Sequence, residues 1–472
     1  MLRRQSTLED EQRTIGLLMD ILEYQDIKVC SWIIENKVKI LCFSYKGLLK
    51  PHRDGFLKVL ATNYSVDHET LHSYMNKFKD NQPGSTNLLK AEEQLQSVLT
   101  PQYSWLFKYI GRLENGVKFL VDMRTDVLEL LQHTDSSDSC YIPLQHLNTT
   151  LKEYLSLWFT VGFLHLERIT WKSPCEMMQK ISEYEAVHPV RSWTDLKRRV
   201  GAYRRCFVYT HSSMPSEPLV VLHTALSTEI ASSMKGIVAA AQRMSVDGSV
   251  MGGILGQDTE TEDPSCVKAA IFYSITSTQK GLQGIELGNY LIKRVVNELQ
   301  YEFPLMSQFS TLSPIPRFRL WLMDRITEME KGCGRLPQDL WEPLLKKASG
   351  SWKEIKRIIN TNMWYTELNM GNIMMNPLMA ACAEYLYKEK VNGVAVNSVA
   401  NFHLRNGAVM WRLNWLADTS PHGLSNSCGM MVNYRYFLED TETNSRNYLE
   451  NKEINASEQI KKLVGEFIPS KM

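Results

Sequence analysis

The stretch Gln279–Asn297, QKGLQGIELGNYLIKRVVN, sets a glycine-rich turn directly before an amphipathic helix. Gly281, Gly284 and Gly288 permit close backbone approach, and the unpaired N–H groups and positive dipole at the start of the following helix attract anions. Leu287, Leu291, Val295 and Leu299 recur every four residues with Ile292 and Val296 beside them, so the helix has one apolar face. Upstream, Ala269–Ile275 (AAIFYSI) reads as a buried strand. Strand, glycine turn, helix is the order that cradles a nucleotide-like ligand, and it is equally the order in which many α/β proteins turn a corner.

Around this stretch the composition is that of a globular protein. At 472 residues and 44% hydrophobic content the chain can bury large cores, and the length predicts about two to four domains. Its 53 basic and 52 acidic side chains leave a net charge of +1, which gives no global attraction to nucleic acid or to an anionic membrane. Any anion site must therefore be local. The apolar run Tyr154–Leu166 (YLSLWFTVGFLHL) is too short to cross a bilayer and reads as a buried helix, so no membrane span is expected. Two arginines lie in Met1–Arg4, but Glu9, Asp10 and Glu11 follow without the apolar core of a secretory signal, and no export is expected. Nine cysteines (30, 42, 140, 175, 206, 266, 333, 382 and 428) are scattered without a CxxC pair, so no metal site is expected and the thiols read as reduced and often buried. Ser470, Lys471 and Met472 differ by one residue from the SKL peroxisomal address, which makes a peroxisomal import receptor an expected partner.

From Gln12 to about Phe159 the pattern is helical: TIGLLMDILEY, TNLLKAEEQLQSVLT, GVKFLVDMRTDVLELLQ and LNTTLKEYLSLWF repeat apolar residues at three- and four-residue spacing. Breakers at Asn81–Thr86 and Asp135–Ser139 mark short connections, and packing or oligomerisation is the role this region carries. Beyond Trp171 the period changes. Cys206–His211, Leu219–Leu226 and Ala269–Ile275 are short β-rich runs that read as an antiparallel meander. Residues 245–265 are rich in Gly, Asp and Thr and read as a flexible insertion. Further helices are expected at Arg317–Glu330, Asp339–Lys347, Ser351–Ile359 and Pro377–Lys388, with strand-like character at Val394–Phe402 and Val409–Trp415.

Two segments carry candidate chemistry. STLSPIPRF (Ser310–Phe318) places Ser313 before two prolines that fix the backbone, and NFHLRNG (Asn401–Gly407) places His403 at the end of an apolar run. Both can face a ligand; a turn serine and a hydrogen-bonded core histidine are the structural alternatives. The basic cluster Lys197, Arg198, Arg199, Arg204 and Arg205 reads either as a charged surface face or as a partner for phosphates.

Over nearly its full length the chain resembles the malonyl-CoA decarboxylase family. The motifs are WKSPCEMMQKISEYEAVHPV, RRVGAYRRC, EPLVVLHTAL, KAAIFYSI, GLQGIELGNYLIKRVV, FSTLSPIP, VANFHLRNGAVMWRLNWLAD, SCGMMVNYRYFLED and ASEQI, in that order. The resemblance implies an α+β chain with an all-helical N-terminal domain (1–160) followed by an acetyltransferase-like, GNAT-type α/β catalytic domain (161–472) that binds coenzyme A. It places the malonyl-CoA-contacting segment on Gln283, Gly284, Ile285, Glu286, Leu287, Gly288 and Asn289, and the catalytic serine and histidine on Ser313 and His403. Glu286 and Tyr436 fall on the acidic and tyrosyl positions that accompany them, although Tyr434 is an equal candidate by composition. The resemblance also implies a homotetramer, for which the helical domain is the expected interface, and matches Cys175 to a cysteine that links subunits under oxidising conditions; a free thiol is the alternative. The expected compartment is the peroxisome or cytosol, with the mitochondrial matrix as a further reading. Where the family has proline before VANFH this chain has Ser398, and Arg317 follows SPIP.

The chemistry so implied belongs to fatty acid metabolism and calls for no metal or organic cofactor, because CO2 loss from a malonyl thioester leaves a carbanion delocalised into the thioester oxygen. The protein must orient the carboxylate, stabilise the enolate oxygen and protonate the terminal carbon. Ser313 is expected to bind the carboxylate, backbone N–H groups near the glycine turn to face the thioester oxygen, and His403 to supply the proton, with Glu286 fixing the imidazole tautomer. Two other readings use the same CoA cleft: an acyl-CoA acyltransferase, which requires an acceptor site, and a non-enzymatic CoA-sensing scaffold dominated by the helical domain.

Overall fold

Apolar spacing from Thr14 to Phe159 folds as the pattern predicts. The computed structural model describes residues 7–26, 30–79, 86–185, 187–238, 262–285, 287 and 291–465. The four quoted helical segments fall on helices Leu8–Leu22, Thr86–Leu99, Gly116–His133 and Tyr141–Trp158; Ser31–Gly47, Lys50–Asn63 and His68–Lys79 lie between the first two, and Gln102–Arg112 between the second and third. Thr7 caps the first helix in a reciprocal capping box with Asp10. Leu18, Phe56, Leu60, Phe107, Leu120, Leu147 and Leu151 are fully buried. Asp126 ties two helices of this core together, accepting from the Tyr45 hydroxyl at 2.8 Å and from Arg53 at 3.0 Å. The 135–139 connection is a turn in which Ser137 N donates to Asp135, whereas most of the 81–86 breaker lies outside the described residues.

The chain forms two compact units. One holds residues 1–165, 209–220 and 277–287, and the other holds 166–208, 221–276 and 288–472. The glycine turn thus groups with the helical unit. The 154–166 run is not one helix: the helix stops at Trp158, residues 161–163 form a single 3-10 turn, and a strand starts at Leu164. Thr160, Val161 and Gly162 are poor helix formers and release the chain there.

Among the described residues the main sheet has eight strands. They are β1 (Leu164–Ile169), β2 (Arg204–His211), β3 (Val220–Ser227), β4 (Ala269–Ser277), β5 (Gln308–Thr311), β6 (Ser313–Pro314), then, after the two-stranded pair β7 (Lys390–Val391) and β8 (Val394–Ala395), β9 (Val409–Asn414) and β10 (Met431–Tyr436). The order is β1-β2-β3-β4-β5-β10-β6, with β9 also on β10. The expected meander is present: Leu226 N bonds Tyr203 O, Leu219 N bonds Tyr209 O, and Lys268 N bonds Ser227 O, which runs β2, β3 and β4 antiparallel in turn. β4 and β5 are parallel, with Ile271 opposite Ser310. Their crossover contains the helix Leu291–Glu302, whose Leu291, Ile292, Val295, Val296 and Leu299 are all buried as the four-residue spacing requires. Two apolar clusters pack on the sheet. One gathers Met177, Met178, Ile181 and Leu196 with Cys206, Val208 and Val221, and the other gathers Ala225, Ile271, Tyr273, Leu312 and Met431.

The helices expected after residue 317 are observed at Phe318–Glu330, Gln338–Lys347 and Trp352–Thr361, and a longer one at Leu368–Tyr387 runs through Pro377. Val394–Phe402 is corrected from strand to mostly helix, because Asn397 accepts from Ala400 N at 2.9 Å and caps a helix at Ser398–Arg405. Ser398 is the first residue of that helix, where proline is well suited and serine is tolerated. The 245–265 segment lies outside the described residues up to 261; Glu262 and Asp263 belong to ordered contacts, and Pro264–Cys266 is a 3-10 turn.

The basic cluster divides: Lys197 and Arg198 are exposed, as a surface face requires, whereas Arg199, Arg204 and Arg205 are engaged by other parts of the protein. Arg199 pairs with Asp195 at 3.0 Å, Arg204 is buried and donates to the Ile237 carbonyl at 2.7 Å, and Arg205 binds Glu262 and Glu302 at 2.6 Å each. Burial opposes the Arg205 charge, yet the hydrogen bonds it donates to the two carboxylates outweigh it and raise the guanidinium pKa. Arg205→Ala would leave two carboxylates facing each other across a hole, so a loss of about 3 kcal/mol is expected. Urea unfolding followed by circular dichroism checks this, and an unchanged midpoint would refute it.

All nine cysteines are free; Cys140, Cys206, Cys382 and Cys428 are buried, whereas Cys30, Cys175, Cys266 and Cys333 are exposed. Among the described residues no helix is long and apolar enough to cross a membrane.

Candidate active site

Ser313 and His403, ninety residues apart in the chain, meet at 3.2 Å between Oγ and Nε2. Each is delivered by backbone that its neighbours fix. Ser313 lies in β6, opposite Val432 of β10. The Pro316 carbonyl that follows accepts from the Tyr385 hydroxyl at 3.0 Å and from Asn397 Nδ2 at 3.1 Å. Asn397 therefore caps the helix that carries His403 and also holds the SPIP turn that carries Ser313. The Tyr448 hydroxyl adds a second tie, donating to Asn401 and accepting from Ala395 N, both at 2.9 Å.

Both imidazole nitrogens are engaged. Nδ1 is 2.8 Å from the Tyr436 hydroxyl, and Nε2 faces Ser313. Ser313 Oγ donates in turn to Thr311 Oγ1 at 2.8 Å, and that oxygen also accepts from Tyr434 N at 3.1 Å. With the serine proton committed to Thr311, the serine oxygen is left to accept. This assigns the proton to Nε2 and makes the Tyr436 hydroxyl the donor to Nδ1. The result is a directed chain from Tyr436 through His403 and Ser313 to Thr311.

The ring is 3% exposed and stacks on Tyr434 with centroids 4.7 Å apart, while Phe402 meets its edge. Burial alone lowers the His403 pKa to about 3, so the imidazole is neutral among these neighbours. Burial raises the Tyr436 pKa well above the ordinary tyrosine value, which keeps the phenol protonated. The two tyrosines that composition left equal are thus separated by geometry: Tyr436 bonds the ring, and Tyr434 covers its face.

A cavity of about 350 Å³ adjoins the chain at Tyr436. The helix after the glycine turn supplies one wall through Ile292, Lys293, Val296 and Asn297, and Asn406, Leu438, Glu439, Thr441 and Glu442 supply the rest. Lys293 and Glu442 pair across it at 3.4 Å. Asn406 donates to the Phe402 carbonyl at 2.7 Å, while its buried Oδ1 has no partner among the described residues.

In the glycine turn, Gln283, Gly284, Ile285 and Leu287 are described, whereas Glu286, Gly288 and Asn289 lie outside the described residues, as do Ser470, Lys471 and Met472. The tautomer-fixing contact expected from Glu286 is made at Nδ1 by Tyr436. Arg317 is exposed with φ 64°, at the N-cap of the Phe318–Glu330 helix. Sequence reasoning missed Thr311 and Asn397. Thr311 stands two residues before Ser313, the spacing that puts side chains on one side of an extended chain. Asn397 stands three residues before Ala400, the spacing of a helix cap.

Two family models match the chain. The one described as the malonyl-CoA decarboxylase C-terminal domain matches residues 162–471, and the one described as the N-terminal domain matches 64–159. Mitochondrial malonyl-CoA decarboxylase of Mus musculus is 46% identical over 431 residues, covering 90% of this chain and 84% of that protein. The same enzyme of Anser anser anser is 44% identical, covering 90% of this chain and 82% of its own. Crystal structures of malonyl-CoA decarboxylase from Rhodopseudomonas palustris and Agrobacterium vitis superpose with TM-scores of 0.79 and 0.77 at 28% and 27% identity. They cover 96% and 97% of this chain and 94% and 100% of theirs.

Proposed function

The chain belongs to the malonyl-CoA decarboxylase family, and from that membership we infer that it converts malonyl-CoA to acetyl-CoA and CO2. The observation that carries the reading is the Tyr436–His403–Ser313 hydrogen-bond chain beside a cavity. We assign malonyl carboxylate binding to Ser313, whose hydroxyl turns from Thr311 to the substrate while its oxygen still accepts from Nε2, protonation of the terminal carbon to His403, and replenishment of the ring proton to Tyr436. As CO2 leaves, electrons pass into the thioester oxygen; they return when the terminal carbon takes the Nε2 proton. The carbanion is a far stronger base than imidazole or phenolate, so a neutral ring can give up this proton. Nδ1 takes the Tyr436 proton in the same movement; after product leaves, Nε2 takes a proton from solvent and the tyrosinate takes its own back from Nδ1, which restores the starting tautomer. The thioester supplies its own electron sink, so the proposed reaction uses no metal or organic cofactor.

The Gln283–Asn289 segment is proposed to bind the CoA handle, with Glu286 among its contacts. The strand, turn, helix, parallel strand order of β4 and β5 supports the acetyltransferase-like reading of the sheet. The tetramer proposal is supported by exposed Trp32, Phe43 and Leu157 on the helical unit, which a subunit interface would cover. For the compartment, the relatives' names support mitochondria and the Ser470-Lys471-Met472 tripeptide supports peroxisomes.

The direct test gives EDTA-treated protein malonyl-CoA and follows acetyl-CoA by chromatography. Turnover undiminished by the chelator is expected. No acetyl-CoA above background refutes the assignment, and activity restored only by added metal refutes the cofactor-free chemistry.

A further inference from the structure

The residues that hold the glycine turn come from the helices Gly116–His133 and Tyr141–Trp158. Leu282 to Ile285 is a type II turn: Ile285 N bonds Leu282 O at 3.0 Å, Gln283 has φ −55° and ψ 130°, and Gly284 has φ 78°. Arg124, 2% exposed, donates to the carbonyls of Gly281 at 2.6 Å and Gln283 at 2.9 Å, and to Asn148 Oδ1 at 3.0 Å. A Cβ on Gly281 would stand 1.9 Å from the Val121 carbonyl, so glycine there lets the turn lie directly on the helix.

This arrangement has an electrostatic direction. In a trans peptide the C=O and N–H point oppositely, so with the Gln283 carbonyl held by Arg124 the Gly284 N–H faces away from the helix. Gln283 and Gly284 are exposed. Lys152 lies against the same glycine, its Nζ 3.5 Å from where a Cβ of Gly284 would stand. Among the described residues Lys152 has no carboxylate partner, and the described hydrogen-bond partners of Arg124 are all neutral oxygens. Burial lowers the Arg124 pKa only from an ordinary value far above neutrality, so the group stays charged. Two cations without a counter-charge therefore flank an outward-facing N–H, the composition of an oxyanion site.

We propose that Lys152 and the Gly284 N–H form a subsite for a phosphate of the CoA handle, with Arg124 as the positioning residue that aims the peptide. The proposal rests on the malonyl-CoA reading above and extends it to Lys152 and Arg124. The malonyl carboxylate is the other anion on the substrate, and the choice of substrates separates the two.

The test compares wild type, Lys152→Gln and Lys152→Arg on malonyl-CoA and on malonyl-pantetheine, which keeps the carboxylate and lacks the phosphates. Lys152→Gln is expected to raise KM for malonyl-CoA by roughly tenfold, the scale of one charge-assisted hydrogen bond. Its KM for malonyl-pantetheine should match wild type, and Lys152→Arg should recover most of the loss. An equal rise with both substrates, or none with malonyl-CoA, would overturn the subsite. Calorimetric titration with CoA itself reads the subsite without turnover, so a chain that failed to decarboxylate would still report on Lys152; unchanged CoA affinity in Lys152→Gln would refute it.

Discussion

His403→Ala is expected to lower kcat on malonyl-CoA by roughly 100- to 10,000-fold, the range that a well-placed general acid contributes, with a far smaller change in KM. The ring contacts both Ser313 and Tyr436, at 3.2 Å and 2.8 Å, so its removal would cut the proposed proton path in the middle. Alanine also leaves a hole between Tyr434 and Tyr436, and His403→Gln serves as the volume-preserving companion. Glutamine keeps an N–H donor but cannot pass a proton between two nitrogens, so it should fold normally and remain nearly inactive. The pH profile carries the sharper test. An imidazolium acid with an ordinary pKa would lose activity as pH rises through about 6.5. This ring, lowered to about 3 by burial, is neutral across that window, so kcat/KM should show no falling limb near 6.5. A limb there in wild type that disappears in His403→Gln would refute the neutral relay, and substantial activity in both variants would remove His403 from the chemistry.

How far the site was legible depended on the distance over which each signal acts. Helical periodicity in GVKFLVDMRTDVLELLQ is local, and it gave Gly116–His133 to within a residue. The same kind of signal failed at Val394–Phe402, where valine and phenylalanine favour a strand by composition and the deciding residue was the Asn397 cap. Arg205 read as part of a charged run because its neutralising carboxylates, Glu262 and Glu302, are far away in sequence. No spacing rule joins Ser313 to His403; family resemblance named the pair, and β6 packed beside the Ser398–Arg405 helix brings them together. The role of Arg124 was invisible for the same reason, since its charge reads as an ordinary helix residue until Gly281 and Gln283 are placed against it.

Ser313→Ala should lower kcat/KM for malonyl-CoA by roughly 100-fold, the upper end for losing one hydrogen bond to a charged group. The substitution removes a single oxygen, and its two protein partners respond differently. Thr311 Oγ1 keeps its bond from Tyr434 N, whereas His403 Nε2 loses its acceptor inside a buried site. If Ser313 binds the carboxylate, the defect must depend on that carboxylate. Malonyl-CoA should then bind more weakly to the variant, while acetyl-CoA, which has the same handle and no carboxylate, should inhibit wild type and variant with equal constants. Equal weakening of both ligands would show that Ser313 shapes the pocket generally, and unchanged kcat/KM would remove it from the reaction. Ser313→Thr keeps the hydroxyl but adds a methyl where the residue is 4% exposed, so it should recover activity only in part. Full recovery would mean that the hydroxyl alone matters, and none would mean that the buried position tolerates no added volume. The ordering alanine below threonine below serine follows from the proposed double role of Ser313, to meet the substrate and to hold the Nε2 proton in line. A residue that did only one of these would separate the kcat and KM effects that are expected here to move together.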